Sequence, residues 1–172
     1  MRREIFSLFF LMLLLILFQL AIGDNLGFLA GKINLILVAL VVLINLFDFG
    51  LVVVFAVGTG LILDVYSSLP FGVISLSLFL TAVFCELLFV NFFTNFSFYS
   101  LMILGFLAAV FYNVIFTLAV VGIYFIGLSD FLPKWNDLYA LIWQIVGVEI
   151  LMILAYYLVN SLSKRFKPIF LK

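Results

Sequence analysis

The sequence predicts an all-α polytopic membrane protein built as a bundle of six transmembrane helices. Of its 172 residues, 69% are hydrophobic and only 9% are charged, whereas a soluble domain carries about 25% charged residues. The apolar residues also form runs of about 20 residues, the length that a helix needs to cross a bilayer. Lipid must cover most of the surface, because eight basic and eight acidic side chains cannot cover a protein of this size.

The six spans follow one another with short polar stretches between them. No linker, repeat or low-complexity segment divides the chain, so residues 1–172 are predicted to form a single integral membrane domain. The predicted spans are Ile5–Ile22, Phe28–Phe47, Phe49–Tyr66, Phe71–Val90, Phe98–Leu128 and Leu138–Val159.

The boundary between the second and third spans is predicted in the stretch from Asn45 to Gly50. An unpaired Asp48 in the middle of one long span would cost about 2.5–3.5 kcal/mol on insertion scales. A tight turn at the membrane surface avoids that cost. The second span then gains its length from the segment Phe28–Lys32, with the Lys32 ammonium group extending to the interface.

Two further spans required a choice between interpretations. The run Phe98–Leu128 contains Asn113 but no charge, proline or turn pair, so it is predicted to be one long tilted helix. The first span follows Arg2 and Arg3 and has the alternative interpretation of a signal peptide. Its apolar region is longer than the roughly 7–15 residues of a signal peptide, which favours a membrane span.

The distribution of basic residues predicts the orientation of the chain. Basic side chains concentrate at cytoplasmic ends of membrane spans, and here they lie mainly before the first span and after the last one. Both termini are therefore predicted to be cytoplasmic, which requires an even number of spans. The basic residues at the two ends are Arg2, Arg3, Lys164, Arg165, Lys167 and Lys172.

Composition argues against several functional classes. The net charge is zero and no basic face is present, so nucleic-acid binding is not expected. There is no histidine and only one cysteine, which argues against a metal site and against histidine-based catalysis. Gly58 and Gly60 lie within a predicted span, where a phosphate-binding loop makes no sense. We expect a protein that is not an enzyme and that needs no cofactor.

Three polar side chains are predicted inside the membrane: Asn113, Glu149 and Glu86. Asn113 and Glu149 lie at similar depth on two adjacent antiparallel spans, so the simplest arrangement brings them together inside the bundle. Glu149 then has two interpretations, a proton or cation site or a neutral carboxylic acid that joins two helices. Glu86 lies about four residues from the end of its span, near the cytoplasmic surface.

The stretch from Gly58 to Gly72 predicts a rigid outer hairpin between the third and fourth spans. Ala56, Gly60 and Asp64 are spaced by four, which places two small residues and a carboxylate on one helix face, where another helix can approach closely. Asp64 is expected to accept hydrogen bonds from the backbone amides of Tyr66 and Ser67. Pro70 is expected in the first turn of the next helix, with Ser68 or Leu69 as its cap.

These residues resemble the family of the rod-shape-determining protein MreD. The resemblance is carried by a glycine-containing span, with Gly58, that runs into a Gly-x-x-x-Asp motif and then a short serine, proline and glycine turn, and by a six-span chain of about this length. The first outer loop, from Gly23 to Lys32, lacks the Arg-Pro-Asp type of entry associated with many members. The matching motif residues are Gly60, Asp64, Ser67, Pro70 and Gly72.

The resemblance implies a non-catalytic membrane scaffold of the bacterial elongation machinery, located in the cytoplasmic membrane. It implies binding to a bitopic MreC-like protein, and a direct or indirect link between MreB filaments, RodA and a class B penicillin-binding transpeptidase in lateral peptidoglycan synthesis. The family is also similar in fold to the substrate-binding components of energy-coupling-factor vitamin transporters. Such a component, with a polar pocket under its outer loops, is the alternative function.

Overall fold

The computed structural model describes residues 10, 12–21, 34–67, 69–92, 97–127 and 135–165, with side chains of the last range described from Leu141 to Ser161. Every regular element in these residues is an α-helix, which confirms the predicted all-α class. In chain order the helices are α1 Met12–Ala21, α2 Leu35–Leu46, α3 Phe49–Tyr66, α4 Val73–Phe92, α5 Phe98–Phe125 and α6 Trp135–Arg165.

Four of the described helices are long and apolar enough to cross a membrane: α3, α4, α5 and the Leu141–Ser161 part of α6. The chain thus has the helices of a membrane protein, as its composition predicts. The described parts α1 and α2 are apolar but shorter. Of the predicted first span, residues 5–9 lie outside the described residues.

The second span begins later than predicted, at Leu35 rather than Phe28. Asn34 has an extended backbone and caps the helix, since its side chain accepts a hydrogen bond from the amide of Leu37 at 3.0 Å. The side chain of Gln19 in α1 accepts a second hydrogen bond, from the amide of Leu35 at 2.8 Å. The segment that was expected to lengthen this span, residues 28–32, lies outside the described residues.

The predicted break near Asp48 and the continuous fifth span are both confirmed. α2 ends at Leu46 and α3 begins at Phe49, while Asp48 occupies the N-cap position and accepts the amide of Leu51 through its carbonyl at 3.0 Å. α5 runs without interruption from Phe98, but it ends at Phe125 instead of residue 128. Gly127 follows with φ +77°, the left-handed conformation that terminates many helices.

Consecutive helices from α3 to α6 pack against one another, and α2 lies among them in contact with all four. More than half of the α2 side chains are buried, and they form much of the core. A helix surrounded in this way must be hydrophobic on every side, which explains why its sequence has no polar face. The buried residues of α2 are Ile36, Leu37, Val38, Leu40, Val41, Leu43 and Ile44.

Candidate functional site

The carboxylate of Asp64 joins the end of α3 to the beginning of α4. Asp64 is only 3% exposed. Its Oδ1 accepts a hydrogen bond from the amide of Ile74 at 2.9 Å, and its Oδ2 accepts one from the amide of Ser75 at 3.1 Å. The first amides of a helix have no partner within the helix, and a negative charge there is favourable. Asp64 therefore caps α4 from the preceding helix.

These donors differ from the predicted ones, which were the amides of Tyr66 and Ser67. α3 continues through Tyr66, and the Ser67 amide donates to the Leu63 carbonyl at 2.9 Å. This amide is therefore part of the hydrogen bonding of α3 and does not donate to the Asp64 side chain. The Ser67 hydroxyl donates to the Asp64 carbonyl at 3.1 Å. The prediction of backbone donors was correct, but the prediction of local ones was wrong.

Gly60 brings the backbones of α3 and α4 together, as the spacing of small residues predicts. A Cβ atom at this position would lie 2.4 Å from the Cα atom of Ser75, far inside van der Waals contact. Ala56, one turn earlier, is fully buried on the same face. Gly58 instead faces α1, where a Cβ atom would lie 3.2 Å from the sulfur of Met12. Of these two glycines, only Gly60 lies at the contact between α3 and α4 to which Asp64 also contributes.

The turn itself is built by Pro70 and Gly72. Pro70 was predicted in the first turn of α4. This prediction was wrong, because α4 begins at Val73 and Pro70 lies in the turn before it. Gly72 has φ +102°, a conformation that other residues rarely adopt. Its carbonyl accepts hydrogen bonds from the amide of Leu76 at 2.9 Å and the hydroxyl of Ser75 at 3.2 Å. Ser68, a predicted cap, lies outside the described residues.

Asn113 and Glu149, which were both predicted to lie inside the membrane, do not pair as predicted. The Asn113 amide donates to the carbonyl of Ala109 in its own helix at 2.7 Å. Oε1 of Glu149 lies beside Gly105, where an added Cβ atom would be 3.5 Å away. Gly105 and Asn113 are eight residues apart, or about 12 Å along α5. The spacing in sequence identified the correct pair of helices but not their register. Glu86 lies on α4, partly buried.

Sequence reasoning missed Tyr112 of α5. Tyr112 is 7% exposed, and its hydroxyl lies next to the side chain of Asn34 and within electrostatic range of Asp64. No local motif marks this tyrosine, because its partners come from residues far away in the sequence. Among the described residues, no three His, Cys, Asp or Glu side chains could hold a metal ion together.

An open groove of about 660 Å³ lies beside the hairpin, between α4 and the end of α5. Its surface is almost entirely apolar, and Ser75 contributes the one hydroxyl group of its lining. Gly72, Gly122 and Ala119 have little or no side chain, so the backbone is accessible along part of the groove. The lining residues are Val57, Phe71, Gly72, Val73, Ser75, Leu76, Phe79, Ala119, Gly122, Ile123 and Ile126.

Comparisons with protein-family models, with curated proteins and with solved structures find no match to this chain.

Proposed function

We propose that the protein is a non-catalytic membrane scaffold of the bacterial cell-elongation machinery, of the MreD type. In this proposal it is a six-span bundle in the cytoplasmic membrane, with both termini in the cytoplasm and a fold similar to the substrate-binding components of energy-coupling-factor transporters. The observation that carries the proposal is the hairpin between α3 and α4. The residues of the resemblance meet there and have a mechanical function.

Three of the motif residues each do something that a rigid hairpin requires. Gly60 permits backbone contact with Ser75, Asp64 caps α4 with both carboxylate oxygens, and Gly72 adopts a positive φ. Each carboxylate oxygen accepts a hydrogen bond from a backbone amide, and no group of three metal-ligating side chains is found among the described residues. Such a group stabilises a shape and is not set up to react, which supports a scaffold over an enzyme.

The surface beside the hairpin supports binding to another membrane helix. Transmembrane helices associate through close packing, which small residues promote, and the groove contains Gly72, Ala119 and Gly122. We propose that the single transmembrane helix of an MreC-like protein packs there. Through it the scaffold is linked, directly or indirectly, to MreB filaments, RodA and a class B penicillin-binding transpeptidase.

Affinity purification from a mild detergent tests this proposal against the vitamin-transport alternative. We expect the tagged protein to recover a one-span MreC-like protein and components of the elongation machinery. Recovery of a transport module with ATPase subunits, without an MreC-like protein, would overturn the proposal. A vitamin that remains bound through purification would overturn it as well. The apolar lining of the groove is the observation that favours the first outcome.

A pair of glycine variants locates the contact. A Cβ atom at Gly122 or at Gly50 meets no atom within 4 Å, so a side chain at either position starts in open space. Gly122 lines the groove, whereas Gly50 lies at the opposite end of α3. We expect Gly122→Leu to reduce recovery of the partner and Gly50→Leu to leave it unchanged. Equal recovery with both variants would exclude the groove as the contact surface.

A further inference from the structure

Glu149 has no part in the hairpin or in the proposed partner contact, and its surroundings set it apart. It lies where α6 meets α5 at Gly105. A Cβ atom at Gly105 would lie 3.5 Å from Oε1 of Glu149 and 3.0 Å from Cγ of Met152. The missing side chain at Gly105 thus leaves the space into which the carboxyl group and Met152 fit.

Oε1 of Glu149 is buried and has no hydrogen-bond partner among the described residues. The elements packed against α6 are chiefly α5 and α2, and α2 carries no titratable residue. On α5 the titratable residues lie at least six positions from Gly105. The titratable residues of α5 and α6 besides Glu149 are Tyr99, Tyr112, Tyr124, Asp137, Tyr139, Tyr156, Tyr157, Lys164 and Arg165.

The side chains that the structure describes include no lysine or arginine, so only position along α6 separates Glu149 from a positive charge. Lys164 is the closest cationic residue along α6, fifteen positions further on, or about 22 Å. An unpaired carboxylate in such an apolar setting costs several kcal/mol, and a buried group avoids that cost by taking up a proton. The arrangement at Gly105 therefore stabilises the neutral acid form of Glu149.

The carboxyl group also lies at the border between a buried and an exposed side of α6. Val148 and Met152 are fully buried against the neighbouring helices. Val146, Ile150 and Ile153 are 42%, 55% and 36% exposed, and they surround Glu149 on the other side. In a membrane these exposed side chains face lipid, and Glu149 itself is half-buried, so its side chain borders the lipid.

We propose that Glu149 is a proton-binding site, a carboxylic acid that keeps its proton at neutral pH and is reached from the lipid side of α6. The ligand is a proton, and hydrophobic carbodiimides are the reagents that detect it. In that reaction the acid proton moves to a carbodiimide nitrogen while the carboxyl oxygen bonds to the central carbon. The acyl group then migrates to the other nitrogen and leaves a stable N-acylurea that contains all atoms of both reactants.

Infrared spectroscopy of the purified protein in lipid measures the protonation state directly. We expect a carbonyl stretching band of a protonated carboxyl group at neutral pH. Glu149→Gln should abolish this band, whereas Glu86→Gln should retain it, and Glu149→Asp should shift it. Absence of the band from the wild-type protein, or its persistence in Glu149→Gln, would overturn the proposal.

Labelling with dicyclohexylcarbodiimide tests access from the lipid. We expect mass spectrometry to find one adduct on the peptide that contains Glu149, with less labelling as the pH rises, because the reaction consumes the acid form. A water-soluble carbodiimide should leave Glu149 unlabelled. Equal labelling by both reagents, or labelling of Glu86 without Glu149, would contradict the proposed location. Neither the infrared nor the labelling measurement depends on the scaffold function. A failure to recover the partner would therefore count against the proposed function and not against the proton-binding site.

Discussion

At the scale of single residues, Asp64 differs from the other buried polar side chains that the structure describes. Thr59, Ser77, Thr81 and Asn113 each donate a hydrogen bond to the carbonyl four residues earlier in the same helix. A carboxylate cannot donate in this way, and the carbonyls of its own helix repel it. Asp64 must find donors in another element, and the first amides of α4 supply them.

The two glycines of α3 allow a sharp test of the backbone contact. Gly60→Ala places a methyl group against the backbone of Ser75, which cannot move aside, so we expect a destabilisation of about 2 kcal/mol. Gly58→Ala meets only the flexible end of Met12 and improves helix propensity, so we expect no loss. Thermal unfolding of both variants in detergent measures the difference. Equal melting temperatures would show that α3 and α4 are not in backbone contact.

Replacement of Asp64 tests the cap. Asn has one carbonyl oxygen where Asp has two carboxylate oxygens, so Asp64→Asn leaves one of the amides of Ile74 and Ser75 without its acceptor. We expect a loss of about 1–3 kcal/mol in the free energy of unfolding. Glu86→Gln is the matched control, since Glu86 is only partly buried, and it should change stability and partner recovery less. Equal, negligible effects of the two variants would contradict a special role for Asp64.

At the scale of elements, the ends of the helices are decided by caps and turns more than by hydropathy. Asn34 delays the start of α2, and the turn through Pro70 and Gly72 delays the start of α4 to Val73. Hydropathy alone extends a span across such residues when their neighbours are apolar. α3 was predicted with its observed bounds, Phe49–Tyr66, because polar residues flank it on both sides.

Gly72→Ala tests the conformation of the hairpin turn. Its φ of +102° is unfavourable for alanine, and we expect a destabilisation of about 1–2 kcal/mol. Gly122→Ala is the control, because neither position has an atom within 4 Å of the added methyl group and Gly122 has an ordinary helical backbone. A difference in melting temperature between the two variants therefore reports backbone strain at Gly72 and not steric crowding by the added methyl group. A melting temperature as high as that of the control would show that the turn tolerates a side chain.

At the scale of the whole molecule, α2 organises the bundle. It is too short to meet the usual span length, yet it packs against α3, α4, α5 and α6. A central helix of this kind is shielded from lipid by its neighbours, and its N-terminal amides are satisfied by Asn34 and Gln19 inside the protein. Backbone that begins or ends at membrane depth is tolerated where protein surrounds it. This is the physical reason why counting residues against bilayer thickness misplaced the start of the span.

Cysteine labelling tests the proposed orientation. Asp48 precedes α3 and Tyr66 ends it, and both side chains are exposed. With both termini in the cytoplasm, a membrane-impermeant maleimide added to intact cells should label Tyr66→Cys and leave Asp48→Cys unlabelled until the cells are opened. Cys85 is fully buried, so the unmodified protein serves as the blank. The reverse pattern would refute the cytoplasmic assignment of the termini.

The helical class, the break at Asp48, the continuous α5 and the close contact at Gly60 could all be predicted from the amino-acid sequence. These follow from composition, from the length of apolar runs and from the spacing of residues within one helix. The packing of the helices was needed to show which amides Asp64 caps, that Asn113 and Glu149 do not pair, and that Tyr112 lies near Asn34. Such contacts depend on the register between helices, and an apolar helix that packs on several sides has no polar pattern from which that register follows.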